Sequence, residues 1–173
     1  MRNNFYIILI IILSFFTSNS LAESLKINSS EVKINKKDSS IVLKGNVEAV
    51  DENKNILKSN EAIYLKKKDL LNSIGLTSII TSENYTFESN NIIFDNKNKI
   101  IKSDYPTKII DPDGNIISLS MFNYNSIKNI LYSKGNVRLE DKNKNIYKFN
   151  QIYIDEKKRK IIGSDAKIFL NDN

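Results

Sequence analysis

The chain contains no cysteine, no histidine and no tryptophan, and it has only two prolines and five glycines. Without cysteine there is no disulfide framework, and without cysteine or histidine there is no zinc site of the usual ligands. Nucleophilic triads of the Ser-His-Asp and Cys-His kinds fall with them. Carboxylates, lysines, tyrosines and serines remain, but none gathers into a catalytic constellation. No catalytic residue, metal ligand or cofactor is assigned, and an enzyme is not expected. Arginine is also scarce, 3 against 23 lysines, in a chain of 173 residues with a formal charge of +6. Bases are read chiefly by arginine forks, so this surface gives no reason to expect a nucleic-acid partner. What is abundant is Ile (29), Asn (25) and Lys (23), residues with A/T-rich codons, a bias of the genome as much as of the fold.

One long apolar run exists. Arg2 precedes Phe5 to Phe16, which only Ser14 interrupts, and Ser20-Leu21-Ala22 then presents small residues where a signal peptidase reads. The run is shorter than the roughly 20 apolar residues a membrane span needs. The expectation is a signal peptide over residues 1–22 and one domain over residues 23–173, exported to the periplasm. Retention of the run as an N-terminal anchor is the alternative.

The rest is one motif written five times. Ile34, Tyr64, Phe94, Tyr124 and Ile154 lie 30 residues apart, as do Val32, Ala62, Ile92, Phe122 and Ile152. Ile41, Leu71, Ile101, Leu131 and Ile161 keep that step, and so do Ala49, Ile79, Ile109, Leu139 and Phe169. A fixed period of this length marks a repeat architecture. Within a copy the apolar period is two, as along Ile41, Leu43, Val47 and Ala49, so each copy is about two strands with one buried face. Asp51–Asn55, Asp111–Asn115 and Asp141–Asn145 read as hairpin turns, because Asn and Asp accept left-handed backbone and bond their own chain. Residues 35–39, 95–99 and 155–160 are the opposite turns. Parity flips between Leu57 and Ala62 and at equivalent places, predicting a bulge near Ser59-Asn60.

Gly45, Gly75 and Gly135 share a slot in mid-strand, and Tyr105 and Asp165 fill it in the third and fifth copies. Glycine on a strand's buried face marks a sharp bend or a close backbone approach. These three are expected to crease the sheet, on its inner side, into an all-β antiparallel jelly-roll or solenoid with two facing walls. The column before the glycine, Leu43, Ser73, Ser103, Ser133 and Gly163, is mostly small. It either permits the crease or leaves a continuous trough. In the second case Phe94, Ile101, Ile109, Phe122, Tyr124, Leu131 and Leu139 line the trough, since they belong to the inward columns of the central copies. The edge rungs, near residues 25–35 and 160–170, offer unpaired backbone for docking. Ile161, Lys167, Ile168 and Phe169 mark the C-terminal edge, with Ile161 and Phe169 expected to face inward.

Other motifs are weak. The Asp-x-Asn turns start like calcium loops but carry Ile56, Ile116 and Ile146 where glycine is required. Glu48 and Glu140 fall on solvent-facing positions, not as a glycosidase pair. Lys66–Lys68 and Lys157–Lys160 are solvated loop tips or contacts for an anionic partner.

Lys44-Gly45-Asn46-Val47 and Lys134-Gly135-Asn136-Val137, each followed by an Asp-rich turn and an Ile-containing strand, resemble the repeated K-G-N-V element of the OstA-like family. That family takes in the periplasmic lipopolysaccharide-transport protein LptA and the N-terminal domain of the outer-membrane assembly protein LptD. The second and third copies depart, with Gly75-Leu76-Thr77 and Tyr105-Pro106-Thr107. The resemblance implies a β-jelly-roll that shields the lipid A acyl chains of lipopolysaccharide. It also implies end-to-end docking with other β-jelly-roll components of the transport bridge, or with a second copy. A truncated or split LptD-like protein and a structural or adhesive β-repeat without ligand remain as alternatives.

Overall fold

A computed structural model describes residues 25–171 of the chain; the expected leader, residues 1–22, lies outside the described residues. Fifteen strands form one antiparallel sheet. They fall into ten successive rungs. The first is β1 (Lys26–Asn28) with β2 (Glu31–Asn35), followed by β3 (Ser40–Val50), β4 (Ile56–Leu65) and β5 (Leu70–Ile80). The fifth to seventh rungs are broken in the middle: β6 (Thr86–Asn90) with β7 (Ile93–Asp95), β8 (Ile100–Ser103) with β9 (Thr107–Ile110), and β10 (Ile116–Leu119) with β11 (Phe122–Asn125). β12 (Ile130–Glu140), β13 (Ile146–Asp155) and the pair β14 (Lys160–Ser164) and β15 (Lys167–Phe169) complete the stack. The only helical turn among the described residues is a short 3-10 stretch, Lys66–Lys68.

Each rung pairs antiparallel with the next, so the 30-residue repeat is two rungs. The alternation expected of half-buried strands is plain on β5, where Leu71, Ser73, Thr77 and Ile79 are buried between exposed or half-exposed neighbours. The turns owe their shape to local side chains. In the Asp51 turn the backbone N–H and side-chain amide of Asn55 both donate to the Asp51 carboxylate, at 2.8 Å each. Asp111 with Asn115 and Asp141 with Asn145 repeat the arrangement. Those carboxylates are thereby committed to the turn, and no cluster of three or more acidic, His or Cys residues suited to a metal occurs among the described residues.

Every rung bends at mid-length, and the sheet folds over into two facing walls. Pairing shifts register between Lys44 and Val47, between Ser59 and Glu61, and between Lys134 and Val137. The bulge expected near Ser59-Asn60 is the second of these. Gly45, Gly75 and Gly135 sit at the bend with φ of +70°, +77° and +96°, a conformation that costs any residue with a Cβ. Their side, however, differs from the inner position expected of them. Gly75 and Gly135 are exposed and Gly45 is half-buried. At the bulge two residues oppose one and three successive residues turn outward, so the glycines point away from the interior while the inward residues on either side keep one parity. A Cβ on Gly45 meets Ser30 Cβ at 3.0 Å and one on Gly135 meets Ser120 Oγ at 2.7 Å, while Gly75 faces open space.

The inner side of the bend is lined by hydroxyls instead. Ile92 N–H donates to Ser73 Oγ at 2.8 Å, Thr77 donates to Ser73 at 2.8 Å, Thr107 to Ser89 at 3.0 Å, and Ser133 to the Met121 carbonyl at 2.7 Å. A bend breaks ladder bonds, and a buried backbone group left without a partner is costly. Three of the five residues in the small column are thus serines, and all three bond backbone groups at the bend, Ser103 donating to the Asn90 carbonyl at 2.8 Å.

One further expectation is corrected. β15 pairs with β13 so that Ile168 stands opposite Tyr147 and Phe169 opposite Ile146. Tyr147 packs on the core, so Ile168 is the inward residue and Phe169 faces out, with Lys148 Nζ 5.0 Å from its ring centre. At the crease of β12 two residues, Gly135 and Asn136, oppose Asn150 alone, whereas Asp165 and Ala166 oppose two residues, Phe149 and Asn150. The 30-residue frame therefore slips by one after Asp165.

Candidate functional site

The candidate site is the space between the walls. One wall holds β1, β6, β9, β10, β15 and the adjoining halves of the long strands; the other holds β2, β7, β8, β11 and β14 with the opposite halves. Inward columns from both meet in a single apolar cluster. Phe94, Ile101, Ile109, Phe122, Tyr124 and Leu131 are buried in it, and Leu139 lies at its C-terminal end, also buried. The structure brings these seven sequence-nominated residues into one continuous strip. Phe87 of β6 reaches across and meets Phe122 and Tyr124 edge-on, with ring centres 5.2 and 5.7 Å apart. In this state the interior is filled by its own side chains. A cavity of about 690 Å³ lies at the crease of the C-terminal rungs, where Leu119, Val137 and Phe149 adjoin Arg138, Lys148 and Lys167.

At both ends of the stack the same columns open to solvent. Val32 and Ile34 on β2 and Ile161 and Ile168 on β14 and β15 are exposed. Among the described residues β1 and β2 pair only with β3, and β14 and β15 only with β13, so each end of the described stack presents an unpaired strand edge beside exposed apolar side chains. Ile161, Lys167, Ile168 and Phe169 all lie on the C-terminal edge.

Opposite the crease, the turns of the two walls come together along a seam. Lys99 Nζ lies 2.7 Å from Glu52 Oε1, Asn129 Nδ2 donates to Glu83 Oε1 at 3.1 Å, and Arg159 Nη1 lies 3.3 Å from Asp113 Oδ1. Lys99 also donates to Asn96, which donates to Asp69, which in turn accepts from the Tyr64 hydroxyl. Further along, the Tyr124 hydroxyl donates to Glu156 Oε2 at 2.9 Å. Burial pushes the Glu156 carboxyl up to about 7, against the opposing effect of the Tyr124 bond. Burial and the facing Glu156 carboxylate push the Tyr85 phenol up to about 12 and that of Tyr124 higher still. Sequence reasoning missed the seam and the buried Glu156. The only available signal was that the turn before each second strand carries Lys99, Asn129 and Arg159 one repeat apart.

The family described as "Lipopolysaccharide-assembly, LptC-related" matches residues 3–140. No curated protein matches the sequence. Among solved structures, LptH of Pseudomonas aeruginosa, described as the LptA homologous periplasmic component of the conserved lipopolysaccharide transport device, is similar at 10% identity. That likeness covers 86% of this chain and 96% of that one, with a TM-score of 0.36. The TCP10 domain of Danio rerio CPAP, in complex with a peptide of STIL, follows at 11% identity, covering 85% and 98% of the two chains, with a TM-score of 0.18.

Proposed function

The chain belongs to the LptC-related lipopolysaccharide-assembly family, and from that premise we propose that it binds the acyl chains of lipopolysaccharide between its walls and hands them along a bridge of docked β-jelly-rolls. The K-G-N-V element carried the machinery but not the member: the resemblance ran to LptA and LptD, and the family that matches is the LptC-related one. The observation that supports the reading most is the continuous apolar interior, from Leu25 to Ile154, flanked at both ends of the stack by exposed apolar residues, Val32 and Ile34 at one and Ile161 and Ile168 at the other. Each methylene exposed to water costs about 0.8 kcal/mol, so a twelve-carbon chain gains roughly 9 kcal/mol from such a lining. Sugars and phosphates stay outside. The task needs no covalent step, which suits a chain without catalytic residues.

The unpaired edges of β2 and β14–β15 give docking its chemistry. Strand addition supplies backbone hydrogen bonds worth about 0.5–1.5 kcal/mol each, and the partner's inner columns continue the strip. Partners are other β-jelly-roll domains of the bridge or a second copy of this chain. The place of action is the periplasm. A photo-crosslinker at Phe122 should capture lipopolysaccharide, and one at the turn residue Asn143 should not. Equal labelling at both positions, or no lipid retained by the purified protein in native mass spectrometry, argues for a structural β-repeat instead.

A second reading concerns the N-terminus. The exported form expected from the sequence begins at Glu23. The family match, however, starts at residue 3 and takes in Phe5–Phe16. That favours a chain that keeps the run as a membrane tether. The intact mass of the envelope-purified protein decides between the two.

A further inference from the structure

The three seam contacts form a series. Glu52, Glu83 and Asp113 lie in successive turns of one wall, and Lys99, Asn129 and Arg159 in successive turns of the other. All three ties are side-chain contacts, whereas the crease on the opposite side is stitched by strand pairing. The residues that reach across from the second wall occupy a turn position that is left-handed in every copy, with φ of +58° at Ser39, +49° at Asp69, +58° at Lys99, +54° at Asn129 and +50° at Arg159. The shared turn means that Lys99, Asn129 and Arg159 leave the backbone in the same geometry, one repeat apart. Lys99 is 9% exposed and Asn129 4%, while their partners Glu52 and Glu83 are exposed and half-buried, so these two ties are shielded on one side only. The Asp113–Arg159 pair is open to water.

The interior, meanwhile, is full. Phe87, Phe94, Phe122 and Tyr124 leave no room between the walls. Acyl chains can lie there only if the walls part. With its sugar head outside and its chains inside, a lipid can enter the stack, or slide along it toward a docked partner, only while the walls are parted, and the glycine-bearing bend supplies a hinge.

We propose that the seam is a loading slit through which acyl chains pass sideways, and that the Glu52–Lys99, Glu83–Asn129 and Asp113–Arg159 ties are its latch. This rests on the lipid-binding reading above and adds to it where, and against which side chains, the lipid is admitted. Opening begins at the exposed Asp113–Arg159 tie, because a water-facing pair is the weakest of the three.

The chain has no cysteine, so pairs can be introduced cleanly. The variants Asp113→Cys/Arg159→Cys and Glu83→Cys/Asn129→Cys are joined by a short bis-methanethiosulfonate linker that reductant releases. Uptake of fluorescently labelled lipid A is followed by stopped flow. Joining either pair should slow uptake at least tenfold, and reductant should restore it. Joining after loading should slow release by a similar factor. A control pair on neighbouring strands of one wall, Glu48→Cys/Lys58→Cys, should leave both rates unchanged. As a variant that only loosens the latch, Arg159→Gln should speed uptake two- to fivefold with an unaltered unfolding midpoint. If the joined variants load at the unjoined rate while the parent protein binds lipid A, the slit is refuted and the lipid-binding reading stands. If the parent protein binds no lipid A, both readings fall together.

Discussion

Ile34 and Phe94 occupy the same column of the repeat, two copies apart, yet Ile34 is 64% exposed and Phe94 fully buried. Val32 and Phe122 make the same pair in the next column. The difference is neighbours. Phe94 has a rung on each side and an opposite wall that reaches it; Ile34 lies on a rung paired only with β3. In a stack of this kind burial is conferred by position along the stack, not by residue type alone. The centre is a packed core that must yield before it can hold anything else. The ends are unfinished surface that a partner can complete.

The sharpest way to break that comparison is to cut the same amount of side chain from each region. Phe122→Ala should cost about 3–5 kcal/mol in denaturant unfolding, and Ile34→Ala under about 1 kcal/mol. Equal losses at the two positions mean that the terminal rung is covered in solution. The buried carboxyl gives the next effect in size. Glu156 titrates near 4.5 when free and near 7 in the fold, so the folded chain holds the proton more tightly. Its stabilising contribution is complete below about pH 4.5 and is lost as pH rises through about 7, by roughly 3 kcal/mol. Glu156→Gln should flatten the stability profile across that window; an unchanged profile places the titration elsewhere.

Smaller effects compare creases along the stack. Gly135→Ala combines φ of +96° with a contact to Ser120 Oγ, whereas Gly75→Ala carries only the backbone penalty. The first should cost about 2 kcal/mol and the second about 1 kcal/mol, read from thermal unfolding. Smallest in stability are the edge changes. Along β15 successive N–H groups point alternately toward β13 and toward the free edge. One of Lys167→Pro and Ile168→Pro therefore spares the fold and removes a docking donor. That variant should weaken association with a partner jelly-roll, measured by sedimentation, while its unfolding midpoint holds. Undiminished association moves the docking surface off this edge.

The architecture was legible because its signals are local. Period two gave strands, period 30 gave the stack, and the Asp-x3-Asn turns follow from short-range side-chain bonds. Counting by 30 failed at Phe169 because a bulge with one residue fewer leaves no mark in composition. The glycines marked the bend, but their side was decided by the bulge that accompanies them. Ser73, Ser103 and Ser133 were legible as small and not as bonded, since the partners of Ser73 and Ser133, Ile92 N–H and the Met121 carbonyl, belong to other rungs. The seam was illegible for a further reason. Its partners lie 46 or 47 residues apart, and one tie pairs Glu with Lys, another Glu with Asn, the third Asp with Arg. No single residue column records that contact.

The order of the rungs bears on how the chain is made. Among the described residues, every rung pairs only with the rung just before or just after it along the chain, never with a distant one. Loop closure between such neighbours is entropically cheap. A chain delivered gradually, N-terminus first, can zip each new rung onto the previous one as soon as about fifteen residues arrive, without waiting for its last segment. The unpaired edge advances with synthesis or export, and the surface on which the next rung folds is the same kind of surface that the proposed docking would use.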